Sequence, residues 1–203
     1  MLKYIIGVVI FAVVATGGYY VWEYIKQMPP RETESVQLSP QQPATTTYAT
    51  TTFSLIYPQN FSANELYQYE GVPKKPIDGV SFSVPLTMAT GTNLSSDSYV
   101  SVEWLPRAQK CTGDIYIPAN VKASTMTTNG ITYSVATTSG VAAGNLYEEQ
   151  VFAYPSSSPC TAVRYFIHST NIGNYDPGAV REFDRNALLD AFDAIRDSLR
   201  LTQ

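Results

Sequence analysis

The sequence is poor in the residues from which most active sites are built. It has one histidine, His168, and two cysteines, Cys111 and Cys160, and it contains neither a Gly-x-Ser-x-Gly motif nor a Cys-x-x-Cys pair. The nucleophile elbow of a serine hydrolase, a thioredoxin-type redox centre and a Cys/His zinc site are therefore not indicated. We expect no cofactor and no metal site.

Charge is also scarce. Charged residues make up 15% of the 203 residues, against roughly 25% in ordinary soluble domains. The 13 Lys and Arg residues form no run in the sequence and the net charge is −4, which argues against nucleic acid as a partner. Apolar residues make up 44%, enough for a core, and the abundance of Tyr, Thr and Ser favours a strand-rich fold.

The N-terminal region contains one long apolar run. Residues 4–22 carry no charge, and about 20 such residues cross a bilayer as a helix. Aromatic residues, which prefer the headgroup level, follow at the far end of the run: Tyr19, Tyr20, Trp22 and Tyr24. We predict that residues 1–28 form an uncleaved anchor that contacts the lipid bilayer through residues 4–22. The alternatives are a signal peptide cleaved near Ala15 or Gly17 and a buried core helix.

A polar segment separates this run from a folded domain. Residues 29–52 are rich in Pro, Gln and Thr and show no apolar periodicity, which is typical of a disordered linker. We expect the linker to end at residue 52 and an acidic domain to occupy residues 53–203. Linkers of this composition beside an anchor favour a domain outside the cytoplasm, in the periplasm or at the cell surface, where a protein partner would be met.

The pattern of the domain predicts an α+β fold. Apolar residues alternate in several short segments, and Asn129-Gly130 indicates a hairpin. A second hairpin is predicted for residues 145–169, around a Pro-Ser-Ser-Ser-Pro loop. From about residue 185 to 199, apolar residues recur at spacings of three and four, which predicts an amphipathic helix capped by Asp184 or Asn186. We expect a mainly antiparallel sheet covered on its dry face by this C-terminal helix.

The two ends of the domain carry a resemblance to a known fold. The opening Phe-Ser-Leu-Ile-Tyr-Pro at residues 53–58 and the closing helix followed by Ser-Leu-Arg-Leu at residues 198–201 resemble PsbP/Mog1-like domains. The resemblance implies an α/β/α sandwich of the kind found in membrane-anchored bacterial proteins. It implies no activity, because that fold hosts unrelated functions.

The cysteines bear on the cellular compartment. Two cysteines in a translocated chain most simply form one disulfide, here between Cys111 and Cys160, while two free buried thiols are the alternative. Asn60 and Asn93 stand in N-glycosylation triplets, which matter only in a eukaryotic source.

Two functions of different classes follow from these patterns. The favoured one is a non-enzymatic interaction or envelope-associated module, because no catalytic cluster is present. The alternative is an anchored hydrolase or ligand-sensing domain with a site near His168, to which Arg164 and Glu103 contribute. For His168 itself, a hydrogen-bonded structural role is preferred. The adjacent Glu148 and Glu149 must point to opposite faces of a strand, and we interpret both as solubility charges at a sheet edge.

Overall fold

The computed structural model describes residues 43–202. Within this range it contains eleven strands, two α-helices and two short 3-10 helices, at Gly113–Tyr116 and Ile172–Asn174. The α-helices are α1 (Leu86–Ala89) and α2 (Arg185–Ser198). The strands are β1 (Thr45–Ala49), β2 (Phe53–Pro58), β3 (Ser62–Asn64), β4 (Gln68–Tyr69), β5 (Ile77–Ser83), β6 (Tyr99–Leu105), β7 (Ser124–Thr128), β8 (Ile131–Ala142), β9 (Asn145–Ala153), β10 (Cys160–Thr170) and β11 (Arg200–Leu201).

The strands form two antiparallel sheets. The large sheet has the order β3-β5-β6-β10-β9-β8-β7, with β4 paired to β5. The small sheet has the order β1-β2-β11. Strand β11 follows α2 directly, and the side chain of Ser198 at the end of α2 bonds the backbone of Ile56 on β2. The helix is therefore fixed to the small sheet at its C-terminal end.

Each face of the large sheet is covered by different parts of the chain. On one face, a single hydrophobic core contains the apolar side of α2, the inner residues of β2 and alternate residues of the large sheet. Leu188, Phe192 and Ile195 of α2 are at most 1% exposed in this core. On the opposite face, a smaller core contains Tyr116 and the two cysteines, beneath the segment that joins β6 to β7. Because side chains alternate between the two faces along each strand, the large sheet contributes residues to two separate cores.

The prediction of a mainly antiparallel sheet with a C-terminal helix is confirmed. The helix runs over Arg185–Ser198, and the Asp184 side chain accepts a hydrogen bond from the Ala187 backbone, as an N-cap does. At the β7–β8 turn, Asn129 and Gly130 have φ of 50° and 77°, the left-handed values that a two-residue hairpin turn needs. The second predicted hairpin is β9–β10.

The predicted boundary at residue 52 is corrected by the structure. Strand β1 covers Thr45–Ala49, inside the stretch assigned to the linker, and pairs along its length with β2. Its threonines are β-branched and favour a strand, and Tyr48 packs its ring against Phe53 and Phe82. The Thr-rich composition that suggested a stalk therefore belongs, from residue 45 onward, to an edge strand.

The predicted anchor, residues 1–28, and the first part of the linker lie outside the described residues. Within residues 43–202, no helix is long and apolar enough to cross a bilayer.

Candidate functional site

The predicted disulfide is present. Cys111 and Cys160 are bonded with an S–S distance of 2.12 Å and a Cα–Cα distance of 5.1 Å. Both residues are buried, at 8% and 4% exposure. A buried disulfide of this kind is typical of proteins that fold in an oxidising compartment.

The disulfide and the β6–β10 strand pair together fix the two ends of one surface loop. Leu105, the last residue of β6, stands directly opposite Cys160 in the β6–β10 pairing. The chain then leaves the sheet for residues 106–110 and returns at Cys111, which is bonded to the same Cys160. The loop is closed at one end by a strand pair and at the other by a covalent bond, so its side chains project from a constrained backbone.

This loop forms one wall of an open cleft, which we call the basic cleft. Its volume is about 1050 Å³. Apolar side chains form much of its surface, and Ile115 is 37% exposed there. The residues that line it are Lys75, Pro76, Leu105, Pro106, Arg107, Ala108, Gln109, Lys110 and Ile115.

The basic cleft carries three exposed cations. Lys75, Arg107 and Lys110 are exposed, and none of them forms a salt bridge with any residue in 43–202. By contrast, Arg164, Arg185 and Arg196 each pair with carboxylates, whereas Arg181 and Arg200 form no salt bridge within residues 43–202. The cleft is therefore a local positive surface on a domain whose net charge is negative. This surface was not predicted from the sequence, because its cations come from two segments some 30 residues apart.

A second polar cluster lies inside the molecule, on the face of the sheet that carries the disulfide. Arg164 of β10 donates from Nε and Nη2 to the two oxygens of Glu103, at 2.7 and 2.8 Å. Its Nη1 donates to Glu149, and Nη2 also donates to the Tyr116 carbonyl at 2.7 Å. The guanidinium carbon lies 3.4 Å from the centre of the Tyr69 ring. The cation thus has both ionic and aromatic partners.

Hydroxyl groups complete the cluster. Tyr67 and Ser101 donate to Glu103 Oε1 at 2.9 and 2.8 Å, and Tyr69 donates to Glu149. Burial raises the pKa of the Tyr67 phenol well above its ordinary value, and the adjacent Glu103 carboxylate raises it further. Burial would lower the pKa of Arg164, but the Glu103 carboxylate outweighs this effect and the net shift is upward. These tyrosines are therefore neutral donors facing a permanent ion pair.

The cluster is closed to ligands. Arg164 and Glu103 are both 0% exposed, and four of the five N–H groups of the guanidinium are already used within the protein. Neither residue lines any of the four clefts described for residues 43–202. The arrangement stabilises a buried charge, and of the residues in the cluster Glu149 alone lines one of these clefts, with 15% of its side chain exposed.

The adjacent glutamates do point to opposite faces, but their predicted role at a sheet edge is wrong. Strand β9 lies between β10 and β8 and has no free edge. Glu149 pairs with the buried Arg164. On the other face, Glu148 forms a bidentate salt bridge with Arg185 of α2. The alternation of side chains along a strand predicted that the two glutamates face opposite sides of the sheet.

His168 lies on the same strand and face as Arg164, about 13 Å further along β10. Its Nδ1 is 2.8 Å from Asp97 Oδ1 and its Nε2 is 3.1 Å from Asn145 Oδ1. Its ring stacks on Tyr147 with centroids 4.5 Å apart. The structure thus brings Arg164 and Glu103 together and leaves His168 apart from them, with every polar atom of its ring facing a side chain.

The fold and these sites describe a disulfide-bonded α+β domain with a closed internal ion cluster and an open basic cleft. No protein-family model matches the chain, and no curated protein matches it. A crystal structure of a protein from Bacteroides thetaiotaomicron aligns with 12% identity and a TM-score of 0.42, over 74% of this chain and 45% of that chain. The chain thus spans less than half of that protein, and a likeness at this level carries no argument about function.

Proposed function

We propose that the protein is a membrane-tethered, non-enzymatic binding module that is held outside the cytoplasm and recognises an acidic segment of a partner protein through the basic cleft. The observation that carries the proposal is the set of three cations, Lys75, Arg107 and Lys110, which form no salt bridge within residues 43–202 and surround an apolar surface. Tethering through residues 4–22 is supported by their uncharged sequence. The Cys111–Cys160 disulfide supports an extracytoplasmic location.

The shape and chemistry of the cleft favour a peptide over a compact ligand. Its volume of about 1050 Å³ and its exposed lining leave room for several residues of an extended chain. Carboxylates on such a chain would meet the cations, while interspersed apolar side chains would contact Pro106 and Ile115. The disulfide-bonded loop presents Arg107 and Lys110 from a constrained backbone, which lowers the entropy lost on binding.

The proposal is tested with a fluorescein-labelled decapeptide of alternating Glu and Leu, titrated against the full-length protein in detergent. We expect saturable binding that weakens as salt is added, because exposed charges are screened. The matching Gln-Leu peptide should bind far more weakly. The double variant Arg107→Glu/Lys110→Glu should abolish binding of the acidic peptide.

A control variant with the same change in net charge distinguishes binding in the cleft from non-specific electrostatic attraction to the whole protein. Lys122→Glu/Arg181→Glu makes the same change in net charge with exposed residues outside the cleft. Binding should survive in this variant. Equal loss of binding in both double variants, or no binding to the unaltered protein, would remove the basis for the proposed partner.

The alternative function, a hydrolase or sensor centred on His168, has one supporting observation. Asp97 holds His168 Nδ1 at 2.8 Å, as a carboxylate orients a catalytic imidazole. However, Nε2 faces the Asn145 amide, and an amide is not a nucleophile. A hydrolytic activity that is lost in a folded His168→Ala variant would favour this function over the binding module.

A further inference from the structure

A separate cleft of the domain has an uncharged lining rich in hydroxyl groups. It lies where the β1–β2 turn, the β9–β10 loop and the C-terminal strand meet, and it has a volume of about 450 Å³. None of its twelve lining residues is charged, and eight of them are Ser or Thr. We call it the hydroxyl cleft and define it by residues 50–53, 156–159 and 201–202 with Trp104 and Thr161.

We propose that the hydroxyl cleft binds a neutral oligosaccharide. This inference is independent of the proposed function, because it concerns a different surface and a different class of ligand. Its volume falls within the roughly 300–1,000 Å³ of small-molecule sites. The absence of charge in the lining gives an anionic sugar no counter-ion, whereas the basic cleft has three cations.

Aromatic and apolar side chains supply the surface on which a sugar ring would pack. Trp104 is partly exposed and lines the cleft beside Phe53, with ring centroids 6.4 Å apart. Leu201 adds an aliphatic surface. The C–H groups of a pyranose face carry partial positive charge and are attracted to the negative face of an indole, so a tryptophan among hydroxyls suits a saccharide.

Four of the eight hydroxyl groups that line the cleft have no hydrogen bond within residues 43–202 and can bind sugar hydroxyls. The side chains of Thr51, Ser156, Ser158 and Thr202 make no hydrogen bond to any residue in 43–202 and can each donate and accept. Thr161, directly opposite Trp104 in the β6–β10 pairing, donates to the Pro159 carbonyl at 3.0 Å, which leaves its oxygen available as an acceptor. A sugar hydroxyl has the same dual character, so the two surfaces complement each other.

The test uses intrinsic tryptophan fluorescence of the full-length protein in detergent. The chain has two tryptophans, so Trp22→Phe leaves Trp104 as the sole reporter. The probes are cellotetraose, chitotetraose and mannotetraose, with tetragalacturonate as the charged comparison. We expect at least one neutral probe to give a saturable change in emission that is insensitive to salt, and tetragalacturonate to give none.

Two variants show which of the two clefts binds the sugar, and neither changes a core residue. Ser156→Ala/Ser158→Ala removes two exposed hydroxyls that have no structural bond and should weaken binding about tenfold at unchanged melting temperature. Arg107→Glu/Lys110→Glu, which disables the basic cleft, should leave the affinity for the sugar unchanged.

Three outcomes would overturn the proposal. They are no saturable change with any neutral probe, binding that is unaffected by Ser156→Ala/Ser158→Ala, and occupation of the cleft by an uncharged Thr/Pro peptide in preference to all three sugars.

Discussion

At the scale of single residues, the most consequential side chain is Arg164. A buried cation is tolerated only when charge partners and hydrogen bonds replace the lost water, and Arg164 has two carboxylates, a carbonyl and an aromatic ring. Removing it would leave Glu103 charged, fully buried and without its cation. The sequence grouped Arg164 with Glu103 in one candidate site, but it did not predict that Glu149 would also pair with Arg164.

Arg164→Met tests this interpretation. We expect the variant to lose about 3–5 kcal/mol of unfolding free energy, since it leaves a buried carboxylate without its cation. Arg185→Met is the matched control: Arg185 and its partner Glu148 are 47% and 37% exposed, so its loss should cost at most about 1 kcal/mol. Urea unfolding of both variants measures the difference. Equal losses would show that the buried cluster is no more important than a surface pair.

The buried tyrosines predict that the stability of the fold falls at alkaline pH. Burial raises the pKa of Tyr67, Tyr116 and Tyr165 in the folded protein above the ordinary value of 10.0. A raised folded pKa contributes stability that is complete below about pH 10 and is lost as the pH rises further. Phenolate absorbance should therefore show exposed tyrosines ionising near pH 10 and the buried ones only with unfolding. Ionisation of all the tyrosines near pH 10, with an unchanged circular dichroism spectrum, would contradict this expectation.

At the scale of elements, local sequence patterns predicted most strands and the helix. Strand β1 and the basic cleft depend on long-range pairing and were not predicted. Period-two alternation predicted several short strands, and spacings of three and four predicted α2, because each of these elements buries one face. Strand β1 was missed because its threonines match a linker as well as an edge strand. The basic cleft was missed because it is assembled by the β6–β10 pairing and the disulfide, which no local pattern encodes.

The disulfide is the element-scale feature that most affects stability. It closes a loop with a sequence separation of 49, which the chain-entropy model rates at about 4 kcal/mol. The double variant Cys111→Ser/Cys160→Ser should lose about this much unfolding free energy and should match the reduced protein. Because the bond fixes one end of the loop that carries Arg107 and Lys110, the variant should also bind the acidic peptide more weakly at temperatures where it is still folded. Quantitative alkylation of both cysteines in freshly isolated, denatured protein would show that the bond does not form in cells.

At the scale of the whole molecule, one buried cluster and two open clefts have distinct chemistry. The internal ion cluster is closed, the basic cleft is open and positively charged, and the hydroxyl cleft is open and neutral. Composition predicted an acidic, strand-rich domain and apolar patterning predicted the α+β class, while the low net charge concealed a local cluster of cations. An open positive surface on an acidic domain is consistent with the proposed recognition of an acidic partner, because binding requires complementarity and not a reactive group.

The most direct test of the central claim is site-specific photo-crosslinking in the cells that produce the protein. A photo-reactive amino acid at Gln109, which is exposed in the basic cleft, should crosslink an extracytoplasmic protein through a peptide of net negative charge. The crosslink should disappear in Arg107→Glu/Lys110→Glu, and the same label at Val141, 77% exposed at the tip of the β8–β9 hairpin, should not produce it. A neutral or basic peptide at Gln109, or the same product from Val141, would contradict recognition of an acidic partner through this cleft.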